Sequence, residues 1–511
     1  MTRPADLVVT NAEVHTLADP DETHEAFAVR DGRVVRLGTT YDVEFLAGAD
    51  TTTIDAGGRV AIPGLIDAHT HLLNAGRTLV HADLSAADSA DEAVALLRER
   101  AAAVAEGEWV LGFGYDESTW DESRPLTRED LHAVSETAPV VAFREDMHVA
   151  SVNDPVFERL REEMPDGGVR TAAGEPTGVI VEEAVDPVYE AIEPDADEAE
   201  ELVRAVQSTA NERGVTMVHD MVRQSKAPEV YRDLDLADEL TLRVRINYWA
   251  DHLDSLVDAG LRTNHGSDMV QTGAVKSYTD GTFGGRTAKL HEPYADDADE
   301  TGTWVLDPDE IHDLVGRADA HGFQVTLHAI GDAAIDAVLD VYEETTDPGV
   351  ARHRVEHSEL ASDEAVDRMA DLGVVASMQP NFHKWGFETG LYDDRLGDRR
   401  TDANRLPAYL DAGAPLAFGS DCMPLDPLLG VQYAVNAPSE GQSLGITEAL
   451  RAYTAGAAYA GFDEGRLGTL EPGKRGDFVL LEGSPWEQPD RIDEIEVALT
   501  AVDGDVVYDG R

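Results

Sequence analysis

The sequence predicts an α/β protein: a TIM-like (β/α)8 barrel with a small β-sandwich domain built from both termini and an α/β insertion after barrel strand one. Three observations carry that reading. First, a helix-like stretch ending in glycine and followed by a short apolar strand recurs four times. It appears as ANERG before residues 215–219, ADAHG before 323–328, MADLG before 374–378 and YLDAG before 414–418. Glycine just past a helix end supplies a left-handed cap, and repeated helix–strand units build a parallel sheet. Second, both ends of the chain are β-rich. Asp31-Gly32 and Asp503-Gly504 each lie between apolar runs, the strongest short hairpin signal. Third, about 130 residues after the first strand do not fit the repeat and are too long for a loop.

In order, residues 1–58 and 466–511 are expected to form the sandwich. The barrel is expected over 59–465, interrupted by an inserted subdomain at 77–205. The apolar run from Val60 opens the barrel as its first strand. Further strand candidates at 242–248, 274–278 and 354–357 bring the count to eight, the number that closes a barrel. An open doubly wound sheet is the alternative. It ranks second because no Gly-rich dinucleotide fingerprint follows any strand. The insertion holds a helix-like stretch at 91–105, a strand-like one at 140–143 and a turn at 174–178. It leaves from the same end of the barrel as His69 and His71, where it would serve as a lid.

Composition excludes several partners. The formal charge is −61, spread along the chain, and only five residues are lysine. So negative a surface repels nucleic acid and anionic membranes, and it suits a cytosol whose salt screens it. Cys422 is the only cysteine, which rules out an intrachain disulfide. No apolar run is long enough for a membrane span, and MTRPADLVVTNAEV lacks a signal peptide's apolar core. A soluble, cytoplasmic, halophilic protein is expected, and a homodimer is compatible with it.

The chemistry is concentrated where strands end. In IPGLIDAHTH, His69 and His71 are two apart, so both leave one face of an extended backbone and make half of a divalent metal site. A polar strand end with two solvated histidines explains that stretch equally well. The balance shifts with Lys276 in GAVKSYTDG, His328 in QVTLHAIGD, His357 in RVEHSEL and Asp421 in APLAFGSDC. One histidine closing a strand is ordinarily a satisfied structural residue. Four histidines and an aspartate at strand ends form a pattern. Lysine on a sheet is usually an edge residue reaching water. Lys276 instead sits in an apolar segment, where burial favours the neutral amine that can take up carbon dioxide as a carbamate. Glu356, beside His357, is expected on the opposite face of its strand with a structural role. Cys422 reads as packing.

The motifs PGLIDAHTH, VKSYTDGTFGGRTA, LHAIGDAAI, RVEHSEL and GSDCMPLDP, with the tail RLGTLEPGKRGDFVLL, resemble the metal-dependent amidohydrolase superfamily. The branch is amidohydrolase family 3, which includes N-substituted formamide deformylases. GFGYDESTW, VVAFREDMHVASVN and GEPTGVI match that branch within the insertion. The resemblance implies two divalent metal ions, with zinc the expected metal. His69, His71 and Asp421 would hold one and His328 and His357 the other, with N6-carboxylysine at Lys276 between them. It implies hydrolysis of a non-peptide C–N bond in a small amide-type substrate by metal-activated hydroxide, with Asp421 carrying the proton. Tyr115, Trp120, Arg144, His148 and Arg286 lie in the matching stretches and are candidates for the substrate pocket. His383 and Trp385 follow strand seven and are candidates too. Packing and ion pairs within the insertion compete with these roles.

Two rivals remain. A zinc deaminase on the same barrel uses a glutamate near the strand-five histidine, whereas His328 is followed by Ala-Ile-Gly-Asp. A catalytically inactive scaffold on this fold loses metal ligands, and here every expected position is filled. The acidic surface makes its own prediction. The unfolding midpoint, followed by circular dichroism, should fall when molar salt is replaced by low ionic strength. Equal midpoints in the two buffers would refute salt adaptation.

Overall fold

The computed structural model describes residues 3–511 apart from 106, 118, 119, 146 and 148. The chain divides into two compact units. One comprises Met1–His71, Gln207–Gln224 and Tyr231–Arg511, the other Leu72–Val206 and Ser225–Val230.

The first unit contains an eight-stranded, all-parallel sheet. In chain order its strands are β1 (Leu65–Thr70), β2 (Val215–Val222), β3 (Arg243–Trp249), β4 (Val270–Tyr278), β5 (Val325–Ala329), β6 (Arg354–His357), β7 (Val375–Met378) and β8 (Leu416–Phe418). Each pairs with the next, as expected of a β/α barrel. The ends of the sheet meet where Asp421 N donates to the His69 carbonyl at 2.8 Å and Ser420 N to Asp67 Oδ1 at 2.9 Å. Helices connect the strands. Asp363–Leu372 is typical, with the Ser362 hydroxyl accepting from Ala365 N at its start and left-handed Gly373 at its end.

The apolar run expected to open the barrel is in fact two strands in two sheets. Val60–Pro63 runs antiparallel to Phe478–Leu481 and parallel to Glu13–His15. Only Leu65–Thr70 enters the barrel. The break falls at Gly64, whose N–H goes to the Asp477 carbonyl. A side chain there would stand 2.3 Å from Thr216 Oγ1, so only glycine lets the chain cross over.

Both termini build the sandwich. One sheet orders Arg33–Gly38, Ala26–Arg30, Leu7–Thr10 and Thr52–Asp55. The other orders Asp505–Asp509, Val497–Val502, Phe478–Leu481, Val60–Pro63, Glu13–His15 and Thr23–His24. Asp31 and Asp503 take φ of 52° and 53° at the two Asp-Gly turns, the left-handed geometry of a tight hairpin. Phe27 from one sheet meets Phe478 from the other edge-on at 4.8 Å, in a core shared with Leu480 and Leu499.

The second unit has a six-stranded mixed sheet, ordered Val169–Ala172, Glu175–Val181, Val149–Val152, Val140–Arg144, Val110–Tyr115 and Ala82–Asp83. Alternate residues face opposite sides. Leu111, Phe113, Val141 and Phe143 join one core, while Val110, Val140 and Ala142 join the other with helix Ala90–Ala103. The stretch 174–178, expected as a turn, is a turn only at Gly174; the rest belongs to strand Glu175–Val181. Among the described residues no helix is long and apolar enough to cross a membrane.

Barrel and sandwich are joined by a buried ion pair. Arg243, on β3, places Nε 2.8 Å and Nη2 3.1 Å from the Asp477 carboxylate, and Nη2 also lies 2.7 Å from Asp503. Both Arg243 and Asp477 are buried. Breaking such a pair leaves a charge uncompensated. Asp477→Ala should therefore lower the unfolding free energy by about 3 kcal/mol, measured by urea denaturation. A loss below about 1 kcal/mol would show that Asp503 alone suffices.

Candidate metal centre

Strand geometry brings the predicted residues together. On β1, His69 occupies the inward register and His71 follows two residues on, just past the strand. His69 Nε2 lies 3.6 Å and His71 Nε2 3.4 Å from Asp421 Oδ1. One donor atom from each of these three residues falls within 4.8 Å of the others. Two donors each about 2.1 Å from a shared tetrahedral ion stand about 3.4 Å apart, so the spacing suits a divalent cation.

The other predicted ligands adjoin this group. The His357 ring is 4.9 Å from His69 and 4.5 Å from His328, centroid to centroid. The His328 ring is 4.7 Å from that of Tyr278, and Lys276 Nζ lies 5.3 Å from the same Tyr278 ring. Three of these groups hold buried polar atoms with no hydrogen-bond partner: Lys276 Nζ, His328 Nδ1 and His357 Nδ1. Unmatched polar atoms are costly in a dry interior, and the three gathered here are of the kind that a bound ion or water satisfies. His328 donates from its other nitrogen, Nε2, to the Gly281 carbonyl at 3.0 Å, which leaves a bare lone pair on Nδ1.

Electrostatics keeps these donors available. Burial and the Lys276 ammonium lower His69 to about 3, His71 to about 4 and His328 to about 3. Burial and the neighbouring imidazoles hold His357 well below the usual range. Neutral imidazoles present lone pairs, the form a metal needs. Burial also lowers Lys276 to about 8 and raises Asp421 to about 7.

Two of the candidate ligands depend on unusual backbone. His357 has φ of 70° and Asp421 of 55°, left-handed values rare outside glycine. This corrects the reading of Glu356. Strand alternation sends Arg354 and Glu356 into the barrel, and the left-handed turn at His357 brings its ring inward as well. Glu356 is therefore not on the opposite face. Its Oε2 accepts from His69 Nδ1 at 2.5 Å, and its Oε1 accepts from the Thr326 hydroxyl. The Arg354 guanidinium Nε lies 2.7 Å from Oε1, an ion pair rather than a linear hydrogen bond. The signal that would have found Glu356 is the parity of Arg354 and Glu356 on one short strand.

The candidate substrate residues are placed differently. Tyr115 and Trp120 are buried in the second unit's own core and stack at 5.6 Å. Tyr115 hydroxyl meets Ser151 Oγ at 3.1 Å, and Trp120 Nε1 donates to the Ala87 carbonyl at 2.7 Å. Arg144 pairs with Asp116 and Glu117. His148 lies outside the described residues. In the first unit Arg286 pairs with Asp296 through two nitrogens. His383 is buried with both ring nitrogens unpartnered, and burial lowers it to about 3. Phe382 and Trp385 flank it in sequence, and the Phe382 ring stacks on His357 at 5.9 Å. Cys422 Sγ accepts from His71 N at 3.3 Å. A surface cleft of about 340 Å3, lined by Glu212, Arg213, Asp426, Glu482, Glu496 and Tyr508, shares no residue with this cluster.

Comparison with known proteins identifies the lineage. The amidohydrolase family matches residues 52–508, nearly the whole chain. The chain belongs to the amidohydrolase family. N-substituted formamide deformylase of Arthrobacter pascens is 28% identical over 100% of this chain and 99% of its own, in keeping with the branch the motifs resemble. The Arabidopsis thaliana protein LONG AFTER FAR-RED 3 is 30% identical over 99% of this chain and 92% of its own. Among solved structures, an uncharacterized metal-dependent hydrolase from Pyrococcus furiosus superposes with a TM-score of 0.81. It is 29% identical and covers 94% of this chain and 99% of that one.

The closure between β8 and β1 generates a test of this amidohydrolase's site. A side chain at Gly419 would stand 2.4 Å from His69 N and 2.7 Å from His69 Cβ. Gly419→Ala should cost roughly 1–3 kcal/mol in stability by overpacking, read by denaturant unfolding. It should also weaken metal uptake by displacing His69. Wild-type stability and uptake would show that the seam is pliable.

Proposed function

We propose that this amidohydrolase cleaves a C–N bond other than a peptide bond, in an amide, formamide or cyclic amide of a small molecule, with divalent cations held by the residues above. The observation that carries the reading is the placement of His69 Nε2 and His71 Nε2 at 3.6 and 3.4 Å from Asp421 Oδ1. His69, His71 and Asp421 would hold one cation, and His328 and His357 a second. Lys276, carboxylated on its buried amine, would supply an anionic oxygen between them. Imidazole and carboxylate donors favour zinc. A cation bound there lowers the pKa of a water towards about 7 and polarises a carbonyl oxygen.

The chain's own residues do the remaining work. Asp421 accepts the proton released when water adds to the scissile carbonyl, and it returns that proton to the leaving nitrogen. Asp421 stands on left-handed backbone with its carboxylate beside the two imidazoles, so the proton acceptor lies next to the residues that would hold the cation. His69, His71, His328 and His357, kept neutral, hold position without competing for that proton. The formamide deformylase of Arthrobacter pascens supports the C–N bond class.

Elemental analysis of purified protein should give about two divalent metals per chain. None would favour an inactive scaffold. Asp421→Asn should lower kcat by a factor on the order of 10²–10⁴ with the fold intact by circular dichroism, measured on N-formyl and N-acyl compounds with zinc-loaded enzyme. Unchanged turnover would exclude Asp421 as the proton carrier. Lys276→Ala should lose metal, and recovery of activity with short carboxylic acids would support the carbamate.

A further inference from the structure

Behind His69 lies a chain of buried polar groups that the proposed hydrolysis does not use. Glu356 Oε2 accepts from His69 Nδ1 at 2.5 Å. Its other oxygen receives the Thr326 hydroxyl and faces Arg354 Nε at 2.7 Å. Arg354 is itself fixed. Nη1 donates to His219 Nδ1 at 2.9 Å, and Nη2 donates to the Ala68 carbonyl at 2.7 Å and Ser377 Oγ at 2.8 Å. Glu356, Arg354, His219 and Thr326 are fully buried.

We infer that Glu356 is a positioning residue for His69. By accepting the Nδ1 proton it fixes one tautomer and turns the bare Nε2 lone pair towards Asp421 Oδ1. If Glu356 only neutralised Arg354, one carboxylate oxygen would be enough. The second oxygen reaches His69 instead, within hydrogen-bonding distance of its Nδ1. A carboxylate on the far nitrogen of a ligating imidazole orients the ring and raises the basicity of the coordinating nitrogen. The inference rests on the reading of His69 as a metal ligand.

The test measures zinc affinity by chelator competition, and folding by thermal unfolding of the metal-free protein. Three variants are compared with the native chain. Glu356→Gln removes the charge and keeps the shape. Glu356→Asp keeps the charge opposite Arg354 and withdraws it from His69 by one methylene. His69→Asn removes the ligand. Both Glu356 variants should bind zinc about 10- to 100-fold more weakly while still folding, and His69→Asn should bind more weakly again. A lowered unfolding midpoint with native zinc affinity would make Glu356 structural and overturn the inference, as would failure of both Glu356 variants to fold. Native zinc affinity in His69→Asn would overturn the ligand reading itself.

Discussion

The Arg354–Glu356 pair is the constraint on which the centre of this barrel depends. Two opposite charges are sunk into a dry cylinder, and each is tolerable only because of the other and of the hydrogen bonds around them. Those bonds reach across the barrel. Arg354 touches β1 at Ala68, β2 at His219 and β7 at Ser377. Glu356 touches β5 at Thr326 and β1 at His69. One ion pair on β6 therefore ties together strands from both sides of the seam. A comparable arrangement lies on β3, where Arg245 meets Asp463, Asn264 and Gln271. Charged side chains here take the place that branched apolar layers fill in other barrels.

Much of the fold was legible because it depends on local chemistry. Glycine-capped helices followed by apolar strands announced the barrel, and two Asp-Gly turns announced the terminal hairpins. The spacing of His69 and His71 placed both on one face without knowledge of any partner. The residues that were misread are those where a local rule is broken. The run from Val60 to Ile66 looks like one strand, since nothing in its apolarity shows that the chain changes sheets at Gly64. Alternation counted from His357 places Glu356 on the wrong face, because the left-handed backbone of His357 resets the count. Asp421 is left-handed too, yet the sequence points to it, because its candidacy rests on a place at the end of a strand and not on parity. Tyr115 and Trp120 show the opposite problem. An aromatic residue in a matching stretch carries no sign of whether it faces a ligand or packs in the core of its own unit.

Membership of a hydrolase family sets expectations about the centre, but a barrel accommodates many reactions, and chemistry must be read from side chains. Here the candidate donors stand on or just past β1, β4, β5 and β6 and in the turn after β8. No two consecutive strands supply the whole set, so the arrangement exists only once the cylinder has closed. Two of those residues, His357 and Asp421, stand on left-handed backbone. Strain of that kind persists only where the surrounding structure enforces it.

The sandwich is assembled from the two ends of the chain, and this has a temporal consequence. Arg33 finds the Gly473 carbonyl across 440 positions, and Val60–Pro63 finds its antiparallel neighbour at similar remove. At ribosomal speeds of roughly 5–20 residues per second, the amino-terminal strands emerge on the order of a minute before the segment that covers them. Throughout that interval Val60–Pro63 presents an open, apolar edge, the kind of surface chaperones guard. Phe478–Leu481, made late, is thus the strand that relieves Val60–Pro63, made early.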